Sequence, residues 1–222
     1  MSKNRSYKLL CPIARALDRI GDRWTLLILR DLHAGSARFS DLQRGLTGIA
    51  ANLLTDRLAK LITDGLIAKE EGAYGTMLYG LTELGEKTRD ILFDLALFGG
   101  QFPPEVEPVD PGNLRLIAVT LGTACQRVVT DDLNFEASLI IDGEAFVLSA
   151  RDGVATMLYQ PAAKPDIVLE TSYEALLSLA EGDIDLIEFS KHKARIEVRT
   201  TGKDAEFTKL ISEAMALFET PQ

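Results

Sequence analysis

The stretch Ala50-Ala51-Asn52-Leu53-Leu54-Thr55-Asp56-Arg57-Leu58-Ala59-Lys60-Leu61-Ile62-Thr63-Asp64-Gly65 decides the fold. Leu54, Leu58, Leu61 and Ile62 recur at helical spacing, so the segment predicts a helix from about Ala50 to Asp64 with one apolar face, stopped by Gly65. The opposite face carries Asn52, Asp56, Lys60 and Thr63, with Thr55 and Arg57 on its flanks. A buried helix would be apolar all round. This one offers solvent, or a partner, a row of hydrogen-bonding side chains.

Upstream, Ile13–Ile20 and Trp24–Leu32 read as shorter amphipathic helices, and Ala34-Gly35-Ser36 breaks the second. Ser40-Asp41-Leu42-Gln43 fits a capping box, with Ser40 at the cap and Gln43 three residues on. Downstream, Leu66-Ile67-Ala68-Lys69, the turn Gly72-Ala73-Tyr74-Gly75 and Met77-Leu78-Tyr79-Gly80-Leu81 predict a β-hairpin. Thr82 then caps a last helix to about Phe98. Two helices joined by a short turn and followed by a hairpin are the order of a winged helix-turn-helix, which reads DNA with its second helix in the major groove.

The rest of the 222 residues is a second part. Residues 99–112 hold three glycines and four prolines, which neither a helix nor a central strand can cross, so a linker is expected there. The domains expected are 1–98 and 113–222. In the second, Leu114–Arg127, Tyr173–Ala180 and Ala205–Phe218 read as helices. Asn134–Asp142, Ala145–Arg151, Val154–Gln160, Ile167–Thr171 and Arg195–Thr201 read as strands, the first three joined by Asp142-Gly143 and Asp152-Gly153 turns. The fold class is α+β, a winged helix-turn-helix followed by an antiparallel sheet covered by helices.

Charge is also uneven along the chain, with the change falling inside the first part, near residue 69. Residues 1–69 hold 12 lysines and arginines against 6 acids, whereas residues 70–222 hold 12 against 27. An anionic partner suits the first part and is repelled by the second, although the whole chain carries −9. Hydrophobic residues at 46% and charged residues at 26% are those of a globular protein. There is no run of about 20 apolar residues to span a membrane, no export signal, and two cysteines cannot frame disulfides, so a cytoplasmic protein is expected. No cofactor, metal site or catalytic constellation is expected. His33 and His192 stand apart, and no cysteine–histidine cluster, phosphate loop or serine elbow occurs.

Several motifs in unbroken order give the first part a family. Cys11-Pro12, Gly21-Asp22-Arg23-Trp24-Thr25-Leu26-Leu27-Ile28-Leu29-Arg30-Asp31-Leu32, Arg38-Phe39-Ser40-Asp41-Leu42-Gln43, Gly48-Ile49, Leu54-Thr55-Asp56-Arg57-Leu58, Asp64-Gly65-Leu66-Ile67 and Leu81-Thr82-Glu83-Leu84-Gly85 resemble the HxlR family of bacterial transcriptional regulators over residues 9–98. The resemblance implies a homodimer, built largely by terminal helices, on a palindromic double-stranded DNA operator. It makes Arg38, Ser40, Asn52, Thr55 and Arg57 DNA contacts, to which the residues themselves add Lys60 and, at the hairpin tip, Tyr74 and Thr76.

Three positions depart from the pattern. Ala50 stands where a serine cap is common, Asp56 puts an acid on the reading face, and the hairpin tip lacks Arg or Lys. Asp56 would repel phosphate unless it accepts from a cytosine amine or pairs with Lys60. Cys11 has two readings. The resemblance implies redox sensing, with Arg15 one turn away; the plainer reading is a small buried or interface residue.

Residues 112–218 are similar to the sterol-carrier-protein-2-like fold in strand order, in Lys164-Pro165-Asp166-Ile167-Val168-Leu169 before the helix Tyr173–Ala180, and in Gly182-Asp183 after it. That resemblance implies an apolar pocket for a small apolar ligand, lined by Phe135, Leu139, Phe146, Met157, Leu179 and Met215. The same alternation would also serve a plain core. The expected function is a homodimeric DNA-binding regulator modulated by such a ligand. The alternative is a lipid or small-molecule carrier whose first domain only dimerises.

Overall fold

The computed structural model describes residues 6–102 and 113–218, and its contacts separate two units, Met1–Leu92 and Phe93–Gln222. The linker expected at 99–112 lies outside the described residues from 103 onward.

The first unit starts with α1 (Pro12–Ile20), where Pro12 occupies a helix position whose N–H would have no partner anyway. α2 (Thr25–Leu32) follows, its first turn held by Asp22, whose Oδ1 accepts from the backbone N–H of Trp24 (3.1 Å) and Thr25 (3.2 Å). α3 spans Phe39–Gly45 and corrects the expected capping box. Arg38 is the cap and the Asp41 carboxylate accepts from its N–H at 3.4 Å, leaving Ser40 inside the helix rather than at its start. The extended backbone at Arg38 continues the Ala37–Tyr79 bridge, so the helix begins as soon as that pairing ends.

α4 (Ala51–Thr63) is the helix read from the quoted stretch. Ala50 supplies no side-chain cap, but Asn52 Oδ1 accepts the Leu53 N–H at 2.9 Å. At its far end the Leu66 N–H returns to the Leu61 carbonyl at 2.9 Å. Leu54, Leu58 and Leu61 are buried, as are Ile28, Leu29, Leu32 and Leu42, and together they belong to the core of this unit. β1 (Ile67–Glu71) and β2 (Met77–Leu81) form the antiparallel wing in the register Ile67↔Leu81. Thr82 caps as expected, accepting from the Gly85 N–H at 3.1 Å. The single helix expected to Phe98 is two helices, α5 (Glu83–Glu86) and α6 (Arg89–Gly99). The break is local: the Thr88 hydroxyl and N–H both turn back to the Gly85 carbonyl, at 2.7 and 3.0 Å.

The second unit takes in the end of α6 from Phe93, continues with α7 (Leu116–Val128) and then builds a five-stranded sheet. The strands are β3 (Asn134–Ile141), β4 (Glu144–Arg151), β5 (Val154–Leu158), β6 (Ile167–Thr171) and, after α8 (Tyr173–Ala180) and the short α9 (Leu186–Glu188), β7 (Ala194–Val198). Their order is β5-β4-β3-β6-β7. The sheet is mixed, not antiparallel throughout: β3 and β6 run parallel, because the chain leaves β5 at one edge and re-enters beside β3. Asp142, Gly143, Asp152 and Gly153 all have positive φ, as two-residue hairpin turns of the primed type require.

α9 and the π-turn Phe189–Lys193 after it were not legible in the sequence. α10 (Lys203–Met215) and α7 cover the sheet over β3 and β5. Gly122 lets α7 come close, since a Cβ there would lie 2.8 Å from Met157 Cβ.

Candidate nucleic-acid interface

One side of α4 is fastened inward by charge as well as by leucines. Arg57 Nε donates to Asp22 Oδ1 at 2.9 Å, so the carboxylate that starts α2 also holds α4. Asp22 is held below the ordinary carboxylate range. Partial burial opposes this, but the Thr25 hydroxyl, the Trp24 and Thr25 amides and the Arg57 guanidinium outweigh it. Lys60 Nζ donates to the carbonyls of Asp18 (2.8 Å) and Arg19 (3.2 Å), at the end of α1 where partial negative charge collects. Arg19 Nη1 meets Asp64 Oδ1 at 2.7 Å. Positions 57, 60 and 64 thus fall on one docking edge, and all three link α4 to α1 or to the turn before α2.

The remaining outward face is Asn52, Thr55, Asp56, Ala59 and Thr63, all exposed, recurring along the helix at 52, 55–56, 59 and 63 and polar except at Ala59. The Thr55 and Thr63 hydroxyls donate to carbonyls one turn back, at 2.9 Å each, and so present acceptor lone pairs and methyls outward. Asn52 offers an amide, and Asp56 a carboxylate. Two exposed cations belong to α3: Arg38 at its cap, and Arg44, which keeps 80% of its side chain exposed with Asp41 at 3.9 Å. The α4 face can therefore make directional hydrogen bonds, and the preceding helix carries exposed positive charge.

The eight residues expected at DNA separate on this geometry. Arg38, Ser40, Asn52 and Thr55 are exposed on α4 or at the start of α3, whereas Arg57 and Lys60 are committed inward. Tyr74 stands fully exposed at the wing tip with φ of 59°, and Thr76 is half-buried with its carbonyl accepting the Gly72 N–H at 2.7 Å. Lys69, Glu70 and Glu71 give the wing a net negative charge, so it adds little attraction for phosphate. The family resemblance assigned Arg57, and residue type and helix face assigned Lys60. Their spacing with Asp64, three and four residues apart, was the available signal for a docking edge.

Cys11 is exposed at the start of α1, beside Leu10 and Ile13, which are 98% and 71% exposed. Cys125 is buried, and burial pushes its thiol up to about 12, so it holds no thiolate at neutral pH.

The second unit has a cleft of about 1000 Å³ between the end of α6, α7, α8 and the end of α10. Leu97, Leu116, Ile117, Leu121, Leu176, Leu177, Met215 and Phe218 supply its apolar lining, and Thr120, Tyr173 and Glu181 are among its polar parts, so the exposed wall is mixed, with apolar surface slightly ahead of polar. Of the six residues expected at a pocket, Met215 lines this cleft. Phe135, Leu139, Phe146, Met157 and Leu179 are buried in the packing of sheet against helices, where Phe135 meets Phe207 edge to face at 5.8 Å. Among the described residues no group of His, Cys, Asp and Glu is placed to hold a metal ion, and no helix is long and apolar enough to cross a membrane.

A family model described as HxlR-like helix-turn-helix matches residues 19–107. An uncharacterized HTH-type transcriptional regulator of Synechocystis is 30% identical over 95 residues, which are 42% of this chain and 70% of that protein. The uncharacterized HTH-type transcriptional regulator YtfH of Escherichia coli is 36% identical over 90 residues, 39% of this chain and 70% of its own. Among solved structures, one described as a transcriptional regulator of the MarR family from Porphyromonas gingivalis is similar at 32% identity and a TM-score of 0.40, covering 42% of this chain and 94% of that one. The redox regulator HypR in its reduced form is similar at 27% identity and a TM-score of 0.39, covering 41% of this chain and 92% of that one.

Proposed function

This chain belongs through residues 19–107 to the HxlR-like helix-turn-helix family, and we propose from that membership that it is a sequence-specific, DNA-binding transcriptional regulator acting as a homodimer in the cytoplasm. The observation that carries the reading is the division of α4. Its leucines, Arg57 and Lys60 hold it to the rest of the first unit, while Asn52, Thr55, Asp56, Ala59 and Thr63 remain as a continuous exposed face. A helix anchored that firmly on one side and polar on the other suits a rigid insertion into the major groove, where hydrogen-bonding side chains meet base edges. Arg38 and Ser40 at the start of α3 reach phosphate.

Dimerisation is supported by apolar side chains that the single chain leaves in water. Leu9, Leu10, Ile13 and Leu17 are exposed on and before α1, and in the second unit Leu95 and Phe98 are exposed on α6. A second copy covering them would set two α4 helices into successive major grooves about 34 Å apart. The second unit, with its five-stranded sheet and helices, takes the sterol-carrier-protein-2-like fold in this reading. It binds a small apolar molecule in the cleft beside Leu121, Leu177 and Met215. The molecule regulates DNA binding to the extent that it favours one dimer geometry over another.

Selection of bound duplexes from a random DNA pool, at two salt concentrations, tests the reading. Enrichment of an inverted repeat whose affinity falls steeply with salt is the expected result. A pool that stays random at low salt, with protein shown by native mass spectrometry to hold no ligand, overturns it in favour of a carrier.

A further inference from the structure

Asp56 is the residue of the exposed α4 face that DNA binding alone leaves without a reason. Its carboxylate makes no hydrogen bond or ion pair among the described residues. The two cations nearest to it along the helix are spent elsewhere, Arg57 on Asp22 and Lys60 on the carbonyls of Asp18 and Arg19. Pairing with Lys60, which would neutralise Asp56, is therefore replaced by a capping contact with α1. What remains is an exposed negative charge with no partner among the described residues, in the middle of the reading face, one turn after Asn52 and one turn before Ala59 and Lys60.

Against the phosphate-lined walls of a groove that charge is repelled at every sequence, unless a base offers it a donor. Guanine presents N7 and O6 acceptors to the major groove, and thymine presents O4 beside its methyl. Adenine presents its N6 amine next to the N7 acceptor. Cytosine presents the N4 amine with only an apolar C5–H edge on its other side, so a carboxylate meets a donor without an adjoining lone pair of the same base.

We propose that Asp56 is a specificity-determining residue that reads a cytosine in each half of the operator by accepting a hydrogen bond from its N4 amine. The inference rests on α4 being the DNA-reading helix. Asp56 weakens binding to all other sequences and recovers the loss at one position only. It thereby converts general attraction, which Arg38 and Arg44 supply, into discrimination.

The test is duplex selection with the full-length protein and with the variants Asp56→Ala and Asp56→Asn, alongside affinity for a duplex of scrambled sequence. The wild type is expected to enrich an inverted repeat with one strongly preferred cytosine per half-site. Asp56→Ala should lose preference at that position, bind the scrambled duplex more tightly, and discriminate less by about tenfold or more. Asp56→Asn, nearly isosteric, should move the preference toward adenine, which an amide matches at N6 and N7. If both variants select the wild-type motif with every position equally sharp, the assignment to Asp56 is wrong while the DNA-binding reading stands. If the wild type enriches no repeat, that reading fails and the inference with it.

Discussion

Arg57 and Asp22 are joined at 2.9 Å across 35 residues of sequence, and each keeps only 25% of its side chain exposed. Asp22 is at once the anchor of α4 and the group that satisfies the first amides of α2. Asp22→Ala should therefore destabilise the first unit by about 2–3 kcal/mol, since it removes both a helix-start acceptor and a charged hydrogen bond. Arg57→Ala, which leaves the helix-start bonds in place, should cost about 1–2 kcal/mol. Denaturant unfolding of the two variants checks the order; a larger loss for Arg57→Ala would mean that the arginine does more than hold Asp22. The sign with pH follows from the lowered Asp22 value. Its stabilisation is present above the ordinary 3.8 and is lost as pH falls further, so the wild type should lose its advantage over Asp22→Ala in acid.

Lys60 gives a second test, one that separates anchoring from DNA contact. Its ammonium caps the end of α1. Lys60→Met should lower the stability of the first unit by about 1 kcal/mol through loss of those bonds. The slope of log affinity against log salt should not change, because no phosphate contact is lost. A slope shallower by about one would place Lys60 on the backbone of the DNA instead.

The first unit was legible because its elements are specified locally. The leucine spacing of α4, the Thr82 cap and the glycine turn of the wing each name an element without reference to the rest of the chain. Leu54, Leu58 and Leu61 are buried as their periodicity demands. What the pattern could not show is where a long cation goes. Arg57 and Lys60 look like groove residues by type, but their direction is set by Asp22 and by the end of α1, about 35 to 42 positions away. In the second unit, alternation in β3 marked Phe135 and Leu139 as inward. Alternation does not distinguish a filled core from a cavity, and the cleft lies among helices instead. The π-turn Phe189–Lys193 leads directly into β7, whose pairing with β6 is a long-range contact without a local signature.

Glu86 supplies a pH prediction. His33, buried at the end of α2, places Nδ1 3.4 Å from Glu86 Oε2, an ion-pair distance too long for a good hydrogen bond, while its Nε2 meets Thr88 Oγ1 at 3.0 Å. The His33 ring and Arg89, against the effect of partial burial, hold Glu86 down at about 2. A depressed carboxylate contributes stability that is full above its ordinary 4.5 and lost as pH falls through about 2. Glu86→Gln should flatten the decline of stability across that window relative to wild type. The effect should be small, because half of the Glu86 side chain is in water. Parallel pH profiles for the two proteins would show that the pair contributes nothing.

Gly122 tests the packing of the second unit. A methyl there would approach Met157 Cβ to 2.8 Å, and the obstacle is the root of a side chain on a paired strand, which cannot swing aside. Gly122→Ala should destabilise the second unit by about 1–3 kcal/mol despite the better helix propensity of alanine, because overpacking exceeds the gain. Unchanged or increased stability on thermal unfolding would mean that α7 can move away from β5 without loss.

The cleft leads to the last prediction. Leu177 on α8 is 41% exposed and lines the cleft, so it can be enlarged without disturbing the buried core beneath it. If the cleft is a binding site for apolar molecules, a fluorescent fatty-acid probe should bind the wild type saturably. Leu177→Trp, which adds an indole where the ligand would lie, should weaken that binding at least tenfold with the melting temperature within a few degrees of wild type. Phe135→Leu provides the contrast. It shortens a side chain buried against Phe207, so it should lower stability by about 1–2 kcal/mol and leave probe affinity nearly unchanged. The opposite pattern, with probe binding abolished by Phe135→Leu and unaffected by Leu177→Trp, would move the ligand site from the helices to the sheet. Phe135 and its neighbours on the sheet are where the sterol-carrier-protein-2-like resemblance put most of the pocket lining.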